Sequence, residues 1–168
     1  MDFRLADIRD LPQIIGMYRE IIRKMDRDGL QIWDDIYPCG YFEDDIKNNR
    51  LYVMSDGSEI AAALALCSSN SGEGFIEWEN TSGKALYLDR VGVSVKHRGK
   101  GIGALLLTSV KETAKALGAE YLRLFVVDIN APAIGLYQKN GFIRAKGIYD
   151  EHVDEDFVLR EYGYEIRL

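Results

Sequence analysis

The chain has 168 residues, 47% of them hydrophobic, a length and composition that suit one compact domain spanning 1–168. With a net charge of −6 and a pI of about 5.0, it lacks the basic balance of a general nucleic-acid binder. The acidic surface either concentrates cationic partners or only keeps the protein soluble.

The opening "MDFRLADIRD" is charged at once and does not read as a secretory leader. Within it, "FRLA" (3–6) has the pattern of a short strand. "DLPQIIGMYREIIRKMDRDG" then predicts a helix, with Asp10 as cap, Pro12 in the first turn and Gly29 as stop. Leu11, Ile14, Ile15, Tyr18, Ile22 and Met25 form its expected apolar stripe. "LQIWDDIYPCGYFEDD" (30–45) follows as a loop leading into a short helix, "YFEDDIKNN". Cys39 lies in that loop. Neither histidine, His97 or His152, is near it in sequence, so a nucleophilic role has no base to support it.

"LYVMSD-GSEIAAALALC" predicts two strands around a turn at Asp56–Gly57, with Cys67 packed at the end of the second. The polar, Gly-rich "SSNSGEGFIEWENTSGKA" reads as a long hairpin loop. "KALYLDRVGVSV" (84–95) is the next strand, and a helix is expected from Gly101 to Leu117. Leu105, Leu106, Val110, Ala114 and Leu117 are its apolar positions, and Gly118 is its stop. "YLRLFVV" (121–127) has the composition of a strand buried on both faces. "NAPAIGLYQKNG" predicts a helix capped by Asn130 and ended by Gly141. "FIRAKGIYD" and "FVLREYGYEIRL" close the chain as an antiparallel pair of strands. Adjacent strands and helical crossovers together imply one mixed sheet with helices on its faces.

No apolar run approaches the ~20 residues of a membrane helix. Two cysteines without ligand spacing suit a reducing compartment, and the scattered carboxylates and two histidines suggest no metal centre. A cytoplasmic protein that touches neither membrane nor nucleic acid is the expectation.

"VSVKHRGKGIGALLL" (93–107) carries the sharpest signal. A β-branched run leads into glycines, and an apolar helical run leaves them. The first-turn N–H groups of that helix lack partners, and its dipole adds positive charge there. Gly99, Gly101 and Gly103 would let a pyrophosphate approach the backbone, while Arg98 and Lys100 add charge. No window matches the P-loop pattern. Gly99, Gly101 and Ala104 satisfy the dinucleotide pattern literally. Its acidic partner is misplaced, however: Glu120 precedes the next strand and Asp128 lies too far along.

"RGKGIG" (98–103) resembles the [RQ]-x-x-G-x-[GA] motif of the GNAT superfamily of acyl-CoA N-acyltransferases, and "NAPAIGLYQKNGF" (130–142) resembles its second signature. The likeness covers nearly the whole chain. It implies a GNAT fold: a mixed, mostly antiparallel sheet of about seven strands with about four helices. It implies acetyl-CoA as cosubstrate and a small-molecule or peptide amine as acceptor. Homodimers are common in the family, although the sequence marks no interface.

The same resemblance implies site residues. The strand before the loop splays from its neighbour and the thioester lies in the gap, so the backbone of Val91, Gly92 and Val93 would line the pantetheine arm. The Val93 N–H would polarise the thioester carbonyl. The segment Arg98, Gly99, Lys100, Gly101, Ile102, Gly103 and Ala104 would hold the pyrophosphate, with Asn130 touching the cofactor. Tyr137 matches the family's general acid toward the departing thiolate. Some members carry a glutamate base five residues before the asparagine, where this chain has Phe125. Asp89 is the tentative base in its place, with Glu77, Glu79 and Asp128 as alternatives. Trp33 and Tyr37, with Asp34 and Asp35, could hold a cationic acceptor; a second acidic, aromatic stretch, "YDEHVDEDF", flanks the other end. A coenzyme-A-binding module without catalysis, and an NAD-dependent oxidoreductase, are the alternative functions.

Overall fold

The computed structural model describes all residues from Met1 to Leu168. Its fold is mixed α/β, with four α-helices and a mostly antiparallel sheet in the order β1-β2-β3-β5-β6-β10-β7, β9 also pairing with β10. Two compact units divide the chain: Met1–Leu66 with Asp89–Ser109, and Cys67–Leu88 with Val110–Leu168. Strand β5 (Ala85–Val93) and helix α3 (Ile102–Ala116) each contribute to both.

In the first unit, β1 (Asp2–Leu5) pairs antiparallel with β2 (Leu51–Asp56), which turns through Gly57 at φ 61° into β3 (Glu59–Cys67). The run Ile60–Leu66 in β3 is buried throughout, as a strand covered on both faces must be. Helix α1 (Leu11–Arg27) buries Ile14, Met17, Tyr18, Ile21, Ile22 and Met25. Leu11 and Ile15, expected in that stripe, are half-buried; Met17 and Ile21 take their places. The expected cap is also corrected. Asp10 makes no side-chain bond to the helix, because a 3-10 turn, Ile8–Asp10, precedes α1 and is capped by Asp7. The Asp10 carboxylate instead accepts from the Asp7 N–H at 2.7 Å and from both ends of the Arg4 guanidinium, at 2.7 and 3.0 Å. Gly29 does end the helix, at φ 77°. Helix α2 (Phe42–Lys47) turns Phe42 and Asp45 inward, both at 0% exposure.

In the second unit, β6 (Tyr121–Val127) runs parallel to β5 from Ala85↔Tyr121 to Leu88↔Leu124 and antiparallel to β10 (Val158–Arg167) along its whole length. Helix α4 (Ala131–Lys139) follows, with Asn130 accepting from the Ala133 N–H at 3.3 Å and Gly141 at φ 88° beyond its end. The stretch expected as one strand, "FIRAKGIYD", is three: β7 (Ile143–Arg144), β8 (Lys146–Gly147) and β9 (Tyr149–His152). β7 and β9 pair with β10, whereas β8 pairs with β4 (Ile76–Glu77). The swing is made at Gly147, φ 106°, where any Cβ would collide with the Phe75 carbonyl.

Residues 68–84 are therefore more than a hairpin loop. They hold a 3-10 turn (Glu73–Phe75), β4, and Trp78 in a buried cluster with Ile76 and Tyr87. Their anchor is a buried ion pair between directly opposed residues of β6 and β10, Arg123 Nε to Glu165 Oε2 at 3.1 Å. Arg123 Nη2 donates to the Asn80 carbonyl at 2.6 Å, and Glu165 Oε1 accepts from the Glu79 N–H at 2.7 Å. Trp78 lies under the guanidinium at 4.6 Å. Along α3 the expected stripe also shifts: Leu106, Leu107, Val110 and Ala114 are buried, while Leu105 and Leu117 face solvent.

Candidate active site

Strand β5 leads through a 3-10 turn, Val95–His97, into the glycine loop. Gly99 and Gly101 stand at φ 74° and 79°, a region that L side chains occupy only with strain, and a Cβ on either would meet nothing within 4 Å. The backbone there borders open space. The first α-helical bond runs from the Leu105 N–H to the Gly101 carbonyl at 3.1 Å, so the N–H groups of Ile102, Gly103 and Ala104 have no partner within the helix. Arg98 and Lys100 are exposed and lie outside any salt bridge. His97 is half-buried, with a buried Nδ1 that has no hydrogen-bond partner.

Just before this loop, β5 departs from regular strand geometry. Arg90 adopts φ 52°, an unusual conformation for a non-glycine residue that costs about 1–3 kcal/mol. Its N–H donates to Asp89 Oδ1 at 2.8 Å. Its carbonyl accepts from the buried Tyr18 hydroxyl, which also lies 3.0 Å from the Ala63 carbonyl. The Arg90 guanidinium forms a fork on Asp45, Nε to Oδ2 at 2.8 Å and Nη2 to Oδ1 at 3.0 Å, and reaches Asp89 Oδ2 at 3.1 Å. Arg50 Nε completes Asp45 at 2.6 Å. Two residues on, a Cβ at Gly92 would sit 2.6 Å from the Tyr18 ring, so only glycine fits.

Of the residues expected to hold a cationic acceptor, Tyr37 belongs to this network. The Tyr37 hydroxyl donates to Asp89 Oδ1 at 2.8 Å, and its ring, with that of Tyr41, flanks the Arg90 guanidinium at 5.9 and 5.5 Å. The cation these rings face is thus the protein's own. Burial pushes the Tyr37 hydroxyl far above the usual phenol range, with the Asp89 charge adding to it. Trp33 packs on Tyr18 at 5.6 Å and is half-buried. Asp34 accepts from the N–H groups of Ile36 and Tyr37, at 2.7 and 2.8 Å, which fixes the turn. Asp35 is exposed. Cys39 is half-buried, and that burial raises its thiol, the opposite of what a nucleophile needs. Both Asp89 oxygens have partners within this unit.

In the second unit, Asn130 caps α4 as expected. Tyr137 is buried and packs edge-on against Phe142 at 5.8 Å. Phe125 stands in an aromatic cluster, 5.7 Å from Trp78 and 5.9 Å from Tyr149. Glu77 and Glu79 are exposed, and Asp128 is half-buried at the end of β6.

The sequence model of the acetyltransferase (GNAT) family matches residues 15–142. The chain belongs to this family. A Bacillus subtilis protein provisionally named a phosphinothricin acetyltransferase, YwnH, is 28% identical over 148 residues, covering 84% of this chain and 83% of its own. The bovine thialysine N-epsilon-acetyltransferase is 33% identical over 75 residues, 45% of this chain and 44% of its own. Among solved structures, an acetyltransferase from Staphylococcus aureus Mu50 superposes with a TM-score of 0.74 at 25% identity, covering 99% of each chain. As a GNAT acyltransferase, the protein is an enzyme, which sets the dinucleotide-oxidoreductase alternative aside.

Arg90 and Asp45 were missed by sequence reasoning. A usable signal existed for Asp45: it lies three residues after Phe42, on the same face of a short helix. No local pattern marks Arg90, because a left-handed arginine inside a strand follows from its tertiary partners.

Proposed function

We propose that this GNAT enzyme transfers an acetyl group from acetyl-CoA to a primary amine by direct attack. The glycine loop carries the reading. Open space beside Gly99 and Gly101, three first-turn N–H groups and two basic side chains outside any salt bridge fit an anionic pyrophosphate. Arg98 and Lys100 would supply charge, and the backbone from Gly99 to Ala104 would supply donors. Acetyl-CoA brings an acyl group already activated as a thioester.

Within this reading, the backbone of Val91, Gly92 and Val93 orients the thioester, and the Val93 N–H polarises its carbonyl. Asn130 contacts the cofactor while capping α4. Tyr137 delivers a proton to the sulfur as the C–N bond forms and the C–S bond breaks. Asp89, which also orders Tyr37 and Arg90, takes the proton of the amine, directly or through a water chain, and solvent returns a proton to the Tyr137 oxygen. Trp33 and Tyr37 then shape the surroundings of the acceptor, Trp33 offering a ring to its charge.

Calorimetric titration with acetyl-CoA, with NAD in parallel, is the direct test. Saturable binding of acetyl-CoA alone supports the reading, and absence of binding by folded protein removes it. Tyr137→Phe should keep acetyl-CoA affinity and slow turnover by about a hundredfold or more; unchanged turnover would take Tyr137 out of the mechanism. Phosphinothricin, streptothricin and thialysine, the compounds named for its relatives, are the first acceptors to assay. Thiol release across that panel reports which amine is accepted.

A further inference from the structure

Granted the acetyl-transfer reading, we propose that Asp45 and Arg90 are positioning residues for the reaction: their buried fork holds the left-handed kink of β5 that aims the backbone of Val91–Val93.

Five observations converge on this pair. Arg90 is a non-glycine residue at φ 52° within a nine-residue strand, a conformation that does not persist unless its surroundings impose it. Side chains take both of its peptide groups, the Asp89 carboxylate its N–H and the Tyr18 hydroxyl its carbonyl. Its guanidinium is 6% exposed and grips a carboxylate that is 0% exposed, through two parallel bonds of 2.8 and 3.0 Å. That carboxylate comes from α2, an element otherwise remote in sequence, and is itself held by Arg50 at 2.6 Å. Finally, the Tyr18 ring that anchors the Arg90 carbonyl also presses on Gly92, so the kink and the residue two positions on share one wall. A fork of fixed geometry, closed around the kink, transmits its position to the next three residues.

A buried ion pair kept only for stability could be exchanged for apolar side chains at little cost. A positioning pair could not. The test is therefore the double variant Asp45→Leu with Arg90→Met, screened first for a cooperative melt. Amide chemical shifts are then followed during titration with acetyl-CoA and, separately, with free coenzyme A. In the native protein, the Val91, Gly92 and Val93 amides should differ between the two complexes, while those of residues 99–104 respond to both. In the double variant the difference at 91–93 should collapse and the response at 99–104 should remain. Thiol release with an accepted amine should fall about tenfold or more, with KM for acetyl-CoA held within about twofold. Asp45→Asn preserves the side chain's shape and carries the same test if the double variant does not fold. A folded variant whose 91–93 shifts and turnover match the native protein would overturn the proposal. A native protein with no response at 99–104 would overturn the acetyl-CoA reading instead, so the two failures are distinct.

Discussion

Each unit of the molecule is built around one buried arginine–carboxylate pair, and the two pairs differ in what they hold. Arg123 and Glu165 are direct cross-strand partners on β6 and β10, in regular register. Their spare donors and acceptors reach out to the Asn80 carbonyl and the Glu79 N–H, so this pair fastens a polar segment to a sheet. Arg90 and Asp45 come from a strand and a helix, and Arg90 leaves strand geometry to make the contact. One pair follows from the ladder; the other deforms it. The lesson is that burial of an ion pair does not reveal its role, whereas the backbone beneath it does.

Breaking the first pair should have the largest effect on stability. Arg123→Ala strands a buried carboxylate and should cost about 3–5 kcal/mol, seen as a lower melting temperature and lower denaturant midpoint. Arg90→Ala should cost less, about 2 kcal/mol, because Asp45 keeps Arg50 as a partner. If the two losses prove equal, Arg50 does not compensate. Glycines beside each network sharpen the contrast. Gly92→Ala forces a Cβ to within 2.6 Å of the fully buried Tyr18 ring and should cost about 1–3 kcal/mol by chemical denaturation. Gly99→Ala meets no atoms, so only its backbone conformation resists, at about 1–2 kcal/mol. Its main consequence should be weaker acetyl-CoA binding in calorimetry. At the small end, Lys96→Ala removes an exposed contact to Glu59 and should leave the melting temperature unchanged.

Much of this was legible in the sequence. The glycine stops at 29, 118 and 141, the Asn130 cap and the strand-loop-helix around Arg98–Ala104 are local features, and local rules find them. The errors came where a neighbour in space overruled a local signal. Asp10 has the right position for a cap but is taken by Arg4. Leu105 and Leu107 are equivalent by composition, and the face that packs selects Leu107. "FIRAKGIYD" looks like a single strand until Gly147 turns it toward β4. Of the candidate site, the loop could be read directly. The occupied state of Tyr37 and Asp89 could not, because their partners lie on other elements. Arg123 did leave a trace, as the one charge in an otherwise apolar strand.

The pinning of residues 68–84 also bears on how the protein meets proteases. By composition this serine-, asparagine- and glycine-rich stretch is the sort of site where limited digestion begins. A protease must draw such a segment into its cleft in extended form. Here that requires releasing the Asn80 carbonyl and the Glu79 N–H from a buried ion pair, and withdrawing Trp78 from beneath Arg123. Cleavage there should wait for the opening of the β6–β10 pairing, so an apparently vulnerable stretch would be cut at the rate at which its own sheet comes apart.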